Sequence, residues 1–276
     1  MKLQTVPARQ GALWVRRGVQ IFFRQPMAFA ALFAVFMFAV FVLQQLPLIG
    51  TLLVLALVPQ VSLGFMLATR LALEGRFATP RVFIEPLRGP RPRTVALVQL
   101  GLAYAVGVLV IIFVSDQFDG GALTALMKAL ANAEGAPEEV AKELATPGLW
   151  FGLMFRLGLA GLLSVPFWHA PALVLWDGQG FAQALFSSTI ACWRNRGAFL
   201  VYSVAWTALV ISVGTGGSLV FMLLGQAQLF ALAAVPMSLL LTTVFYASLY
   251  FTFADCFATD EPAAPAIPPP LEGISR

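Results

Sequence analysis

The chain has 276 residues, of which 59% are hydrophobic and only 11% charged, and its mean hydropathy is +0.85. A soluble domain carries roughly 45–50% apolar and about 25% charged residues, so a water-facing globule is excluded and lipid is the expected solvent. The net charge of +4 does not point to nucleic acid, because the arginines flank the apolar runs, where positive charge sets membrane orientation.

Residues 8–25 place Leu13, Trp14, Gly18, Ile21 and Phe22 near one helical face, with Arg9, Arg16, Gln20 and Arg24 off it. This pattern predicts an amphipathic helix in the membrane interface, its apolar side at the acyl boundary. Pro26 marks a turn into a first span over 27–43. The second span, 48–72, follows the short link Gln44-Gln45-Leu46-Pro47, so the two are antiparallel neighbours; Pro59 is expected to kink it. The third span, 94–115, holds Ala103 and Gly107, a spacing that permits close helix approach. Residues 116–147 read as a polar excursion with two short helical patterns, rich in Asp116, Asp119, Glu134, Glu138, Glu139 and Glu143. A fourth span covers 149–175, a second amphipathic stretch 180–192, and the fifth and sixth spans 198–222 and 229–253. Gly214-Thr215-Gly216-Gly217 is expected to loosen or kink the fifth. The last stretch, 258–276, is proline-rich and reads as a disordered tail. The predicted fold is therefore all-α: a polytopic membrane bundle of about six transmembrane helices plus two interfacial amphipathic helices. Residues 1–26 form its lead and 27–257 its membrane domain. No cleavable leader is evident in the basic lead.

Counting Lys and Arg loop by loop gives the orientation. The lead, the 70–93 link, Arg194, Arg196 and Arg276 put fourteen of the 17 basic residues on one side. Lys128 and Lys142 fall on the other, with Arg156 near its edge. Both termini are thus expected in the cytoplasm and the acidic excursion outside. Cys192 and Cys256 then lie on the reducing side and are read as unreactive small residues.

Phe23-Arg24-Gln25-Pro26-Met27-Ala28-Phe29 aligns with Trp193-Arg194-Asn195-Arg196-Gly197-Ala198-Phe199. An amphipathic stretch precedes each copy and two spans follow, the second containing Pro59 or Pro236. This is a candidate parallel repeat, an arrangement that transporters use with sites at the repeat interface.

The stretch 166–202 contains Ala-Pro-Ala-Leu-Val at 170–174, Ala184-Leu185, Ser187-Ser188 and Ala191-Cys192-Trp193-Arg194-Asn195. Together with Trp14, Gly18 and Phe23-Arg24-Gln25-Pro26, it resembles an uncharacterised family of proteobacterial inner-membrane proteins over residues 8–257. That family is more distantly similar to the membrane region preceding some glycerophosphodiester phosphodiesterase domains. His169 departs from its pattern, which has an aromatic residue there. The resemblance implies architecture and a bacterial inner-membrane location only. The acids and histidines of a phosphodiesterase metal site are missing from the sequence.

Four residues are candidate ligand or lipid-headgroup contacts: Arg156, His169, Arg24 and Arg194. Arg156 lies inside a span, where a charge either marks a function or snorkels to the headgroups. His169, the single histidine, reads either as a proton relay or as a hydrogen-bonded or interfacial residue between Trp168 and Trp176. Pro166 and Pro171 bracket it and should break or kink the helix. Asp177 and Asp255 are expected to form ion pairs at the level of Arg24, Arg70 and Arg194. The arginine-rich link 76–93 is read as setting orientation or binding anionic lipid. No catalytic constellation, metal cluster or cofactor fingerprint is present, so no enzyme activity and no cofactor are expected. Membrane lipids, anionic ones included, are the expected partners. A role in envelope or lipid homeostasis is the first reading; a small transporter or channel with a site between the half-repeats is the second.

Overall fold

The computed structural model describes residues 1–47, 49–131 and 137–258. A short strand, β1 (Lys2–Leu3), leads into α1 (Gln10–Arg24), α2 (Pro26–Gln44) and α3 (Gly50–Leu73). Two 3-10 turns, Pro80–Phe83 and Glu85–Arg88, precede α4 (Arg91–Asp119). Then come α5 (Ala122–Ala131), α6 (Pro137–Leu144), α7 (Pro147–Phe167), α8 (Ala170–Trp176) and α9 (Phe181–Arg194). The chain finishes with α10 (Arg196–Leu223), α11 (Ala227–Cys256) and β2 (Phe257–Ala258), which pairs antiparallel with β1. Six helical stretches are long and apolar enough to cross a membrane, α7 and α8 counting as one. The protein is an all-α multi-pass membrane bundle.

Prolines start several of these helices. Pro26, Pro92, Pro147 and Pro171 stand in the first turns of α2, α4, α7 and α8, where a missing N–H costs no intrahelical bond. The spans run about a turn beyond the hydropathy limits at several ends. Asp116, assigned to the polar excursion by its charge, belongs to α4. Pro59 and Pro236 lie within continuous helices, and α10 passes unbroken through Gly214 to Gly217. The expected tail lies outside the described residues except for Ala258, and so does the middle of the excursion, 132–136.

The core sits toward the end of the bundle that carries the β1–β2 pair, here called the basic end. Buried residues of α2 stop at Phe33, and those of α10 at Trp206; those of α3, Gly50 apart, begin at Pro59. Beyond these levels the spans expose Phe38, Phe41, Val110, Phe113, Leu162, Val220 and Leu232, the composition that acyl chains solvate. Gln60 Nε2 donates to Leu97 O at 2.6 Å, Thr69 Oγ1 to Ala247 O at 3.1 Å, and Tyr202 OH meets Ser248 Oγ at 2.6 Å. Gly101 lets α4 approach α3: a Cβ there would stand 2.3 Å from Ala56 O. Gly107, predicted as a close-approach residue, serves the contact with Leu163 of α7.

The two amphipathic helices differ. α1 turns its apolar face to protein, not to acyl chains: Trp14 and Ile21 are wholly buried, and α1 packs chiefly on α10 and α11. A Cβ at Gly11 would lie 2.1 Å from Ala198 O, and one at Gly18 2.5 Å from Ser248 Cβ. Only glycine permits so close a seat. α9 instead leaves Phe186 and Trp193, one heptad apart, exposed on its outer side, as an interfacial helix does.

Candidate functional site

The proposed repeat is visible in element order. Arg24 and Arg194 each end an amphipathic helix; Gln25 and Asn195 are the single non-helical residues that follow; α2–α3 and α10–α11 come next. Packing does not repeat. α1 crosses onto the second unit, whereas α9 packs on α7 and α8. Asn195 is buried and holds the lead: its Oδ1 accepts from Val6 N–H at 2.8 Å, and its Nδ2 donates to Gln4 O and Ala191 O at 3.0 Å each. Gln25 grips another segment, donating from Nε2 to Arg76 O at 3.2 Å.

His169 sits where the fourth span breaks between α7 and α8. In a continuous helix its N–H would bind Val165 O. It donates instead to Ser188 Oγ at 3.0 Å, and Ser188 in turn donates to Val165 O at 2.9 Å. Cys192 Sγ adds a weaker contact to the same carbonyl at 3.7 Å. One hydroxyl of α9 thus bridges the opened turn, and Pro171, which has no N–H, starts the next helix. The His169 ring is fully buried among Phe199, Phe253 and Phe257. Its Nε2 lies 3.2 Å from Thr252 Oγ1, which also accepts from Trp168 Nε1 at 3.1 Å. The Thr252 proton is directed to Leu249 O at 2.8 Å, so the ring donates from Nε2. Its Nδ1 has no hydrogen-bond partner among the described residues. A relay needs a second exchangeable partner, and aromatic rings surround this one. Burial also pushes the Cys192 thiol up to about 12, an inert state for a nucleophile.

Ser188→Ala should leave the His169 N–H unpaired inside the protein and Val165 O with only the weak Cys192 contact. A loss of about 1–3 kcal/mol is expected, read as earlier unfolding of the purified protein in detergent.

Arg156 neither reaches out alone nor stands in an empty anion site. Its Nη2 donates to Asp116 Oδ1 at 2.6 Å, joining α7 to α4 near the far end of the bundle. Sequence reasoning missed this partner because Asp116 was counted as loop. The two helices meet antiparallel, so residues near the end of one face residues near the start of the other.

At the basic end, Asp255 receives three donors from α1: Gln10 Nε2, Trp14 Nε1 at 2.8 Å, and Arg17 Nη1 at 3.1 Å. Their i, i+4, i+7 spacing puts all three on one helical face. The partners expected from sequence were Arg24, Arg70 and Arg194, whereas Asp255 forms its ion pair with Arg17. Asp177 pairs with the Met1 ammonium at 2.7 Å. Burial pushes the Asp177 carboxyl up, but hydrogen bonds from that ammonium and from Gln179, with the ammonium's charge, hold it below the usual carboxylate range. Arg24 and Arg194 are both exposed at the rim. The four sequence candidates therefore lie in separate places and build no common pocket.

A groove of about 390 Å³ runs between α10 and α11, lined by Trp206, Thr207, Val210, Ile211, Leu241, Thr242 and Phe245. Neither Arg156 nor His169 lines it. Among the described residues, no group of three or more His, Cys, Asp or Glu side chains is placed to hold a metal ion.

A probable inner membrane protein of Burkholderia thailandensis is 34% identical to this chain over 269 residues, spanning 97% of the chain and 98% of that protein. The chain belongs to that protein's family. The match spans nearly the whole chain. No family model and no solved structure matches the chain. These comparisons lend no support to the likeness to glycerophosphodiester phosphodiesterases.

Proposed function

We propose that the protein is a non-enzymatic component of the bacterial inner membrane that engages anionic phospholipid with its basic end, which faces the cytoplasm, and serves envelope or lipid homeostasis. The basic rim carries this reading. Arg9, Arg16, Arg24, Arg76, Arg81, Arg88, Arg91, Arg194 and Arg196 are all exposed at that end. Exposed aromatics stand beside them: Phe23 next to Arg24, Phe77 next to Arg76, and Trp193 next to Arg194. Arginine at phosphate level with an aromatic ring just below it is the pattern of an interfacial girdle, and each basic residue near an anionic surface contributes about 1 kcal/mol. The relative's name supports the location.

The transporter reading has less behind it. Its residues, Arg156 and His169, lie in separate environments, one in an ion pair and one sealed by aromatic rings. The half-repeats also meet without symmetry.

Thermal unfolding in neutral detergent tests the proposal. Phosphatidylglycerol should raise the midpoint by several degrees more than phosphatidylcholine does, and 0.5 M salt should shrink the difference. Equal shifts from both lipids would count against it.

A further inference from the structure

The link between α3 and α4 does not hang free in water. Phe83 lies against α3: a Cβ at Gly64 would collide with its ring, and the ring meets that of Phe65 at 5.7 Å. α3 runs on from Gly64 to Leu73, which puts Gly64 roughly 13 Å back along the axis from the helix end at 1.5 Å per residue. The chain therefore turns back along α3 before α4 begins. Val82 and Pro86 are buried beneath the two 3-10 turns. Thr94, near the start of α4, donates from Oγ1 to Leu87 O at 3.0 Å and holds the second turn to that helix. Ile84, between the turns, is left 55% exposed.

Charge on this segment is one-sided. Residues 79–94 hold Arg81, Arg88, Arg91 and Arg93 against the single acid Glu85. Arg81, Arg88 and Arg91 are exposed. Their guanidinium groups form no ion pair, hydrogen bond or ring contact with a described residue. Other arginines at this end are engaged: Arg17 with Asp255, Arg70 and Arg76 with Glu74, and Arg196 over the Trp193 ring at 5.5 Å.

We infer that the 80–91 link is an interfacial segment that binds the phosphate of an anionic phospholipid with Arg81, Arg88 and Arg91, Ile84 standing against its acyl chains. The fold-back along α3 sets these arginines at the depth of headgroups, and the exposed Ile84 favours a lipid over a dissolved anion. Arginine suits the task because its planar fork meets two phosphate oxygens at once. A phosphatidylethanolamine or phosphatidylcholine headgroup brings its own cation and competes poorly for the same positive charge. This inference rests on the proposed preference for anionic lipid and assigns it to one place.

The test reconstitutes the full chain into mixed phosphatidylglycerol–phosphatidylethanolamine bilayers, extracts it gently, and measures the retained phosphatidylglycerol fraction by mass spectrometry. Wild type should retain phosphatidylglycerol above its bulk fraction, and added inorganic phosphate should not displace it. R81Q/R88Q/R91Q should lower that enrichment on the order of tenfold. R9Q/R16Q/R194Q, the same charge change on α1 and α9, should lower it less than about twofold, because salt screens exposed charges beyond roughly 10 Å. Melting in phosphatidylcholine alone verifies that each variant is folded. Equal losses in the two triple variants would overturn the discrete site while leaving a diffuse basic rim. Displacement by phosphate would overturn the lipid assignment, and absence of enrichment in wild type would overturn the rim reading as well. Depth is read separately with a spin label on Ile84→Cys, the native cysteines being buried. The label should collide more with oxygen than with a water-soluble nickel chelate; the reverse would put the link in water and overturn the site.

Discussion

Asp255→Ala should unseat α1 and produce one of the largest stability losses available from a single substitution. Asp255 accepts from Gln10, Trp14 and Arg17, and α1 is a wedge whose apolar face fills the space between α10 and α11. Removing the carboxylate leaves the Trp14 indole N–H without its acceptor inside the protein and Arg17 without its ion pair to Asp255. Breaking a fully buried pair costs about 3–5 kcal/mol. The Asp255 side chain is 22% exposed, so solvent screening lowers the expectation to about 2–4 kcal/mol. Arg17→Ala should cost less, because that side chain is 36% exposed and one donor of three is lost. Equilibrium unfolding in detergent, followed by Trp14 fluorescence against the remaining tryptophans, measures both. A change below about 0.5 kcal/mol for Asp255→Ala would mean that packing alone seats α1.

The second large effect is expected at the Arg156–Asp116 pair. Arg156 is 20% and Asp116 44% exposed on their side chains. The partners are therefore unequal. Asp116→Leu removes the counter-charge from the more deeply placed group and should destabilise by about 1–3 kcal/mol. Arg156→Leu leaves a carboxylate that water and headgroups reach, so its cost should be smaller. The double variant should recover most of the loss, since two leucines facing each other at this depth are well solvated by lipid. A double-mutant cycle with a coupling near zero would contradict the pair's structural role. Arg156 would then return as a candidate contact for an external anion.

Hydropathy made the spans legible because a membrane helix must be apolar along its whole length. Limits at charged ends were not legible for the same reason: Asp116 continues α4, since its charge is met by Arg156 across the helix pair, and window hydropathy carries no record of a partner. The periodicity of 8–25 gave an amphipathic helix. It could not say whether lipid or protein covers its apolar face. Gly11 and Gly18, one heptad apart on that face, were the available signal, because small residues at such spacing let another backbone approach. The break at Pro166 to Pro171 was predicted by its prolines, yet its repair by Ser188 depends on α9 lying alongside, a tertiary fact. Arg24 and Arg194 matched in the repeat alignment, but their surroundings diverged because Asn195 spends its amide on the lead and Gln25 on the Arg76 segment.

Orientation is the measurement that bears most directly on the whole account, since the lipid proposal requires the arginine rim to face the cytoplasm. Thr79 and Thr124 are both exposed, at the basic end and on α5 at the far end, and the native cysteines are buried. Single Thr79→Cys and Thr124→Cys variants can be treated in intact spheroplasts with a membrane-impermeant maleimide. The account predicts that Thr124→Cys is labelled at once and Thr79→Cys only after the membrane is permeabilised. The reverse pattern would place the basic rim outside and contradict it.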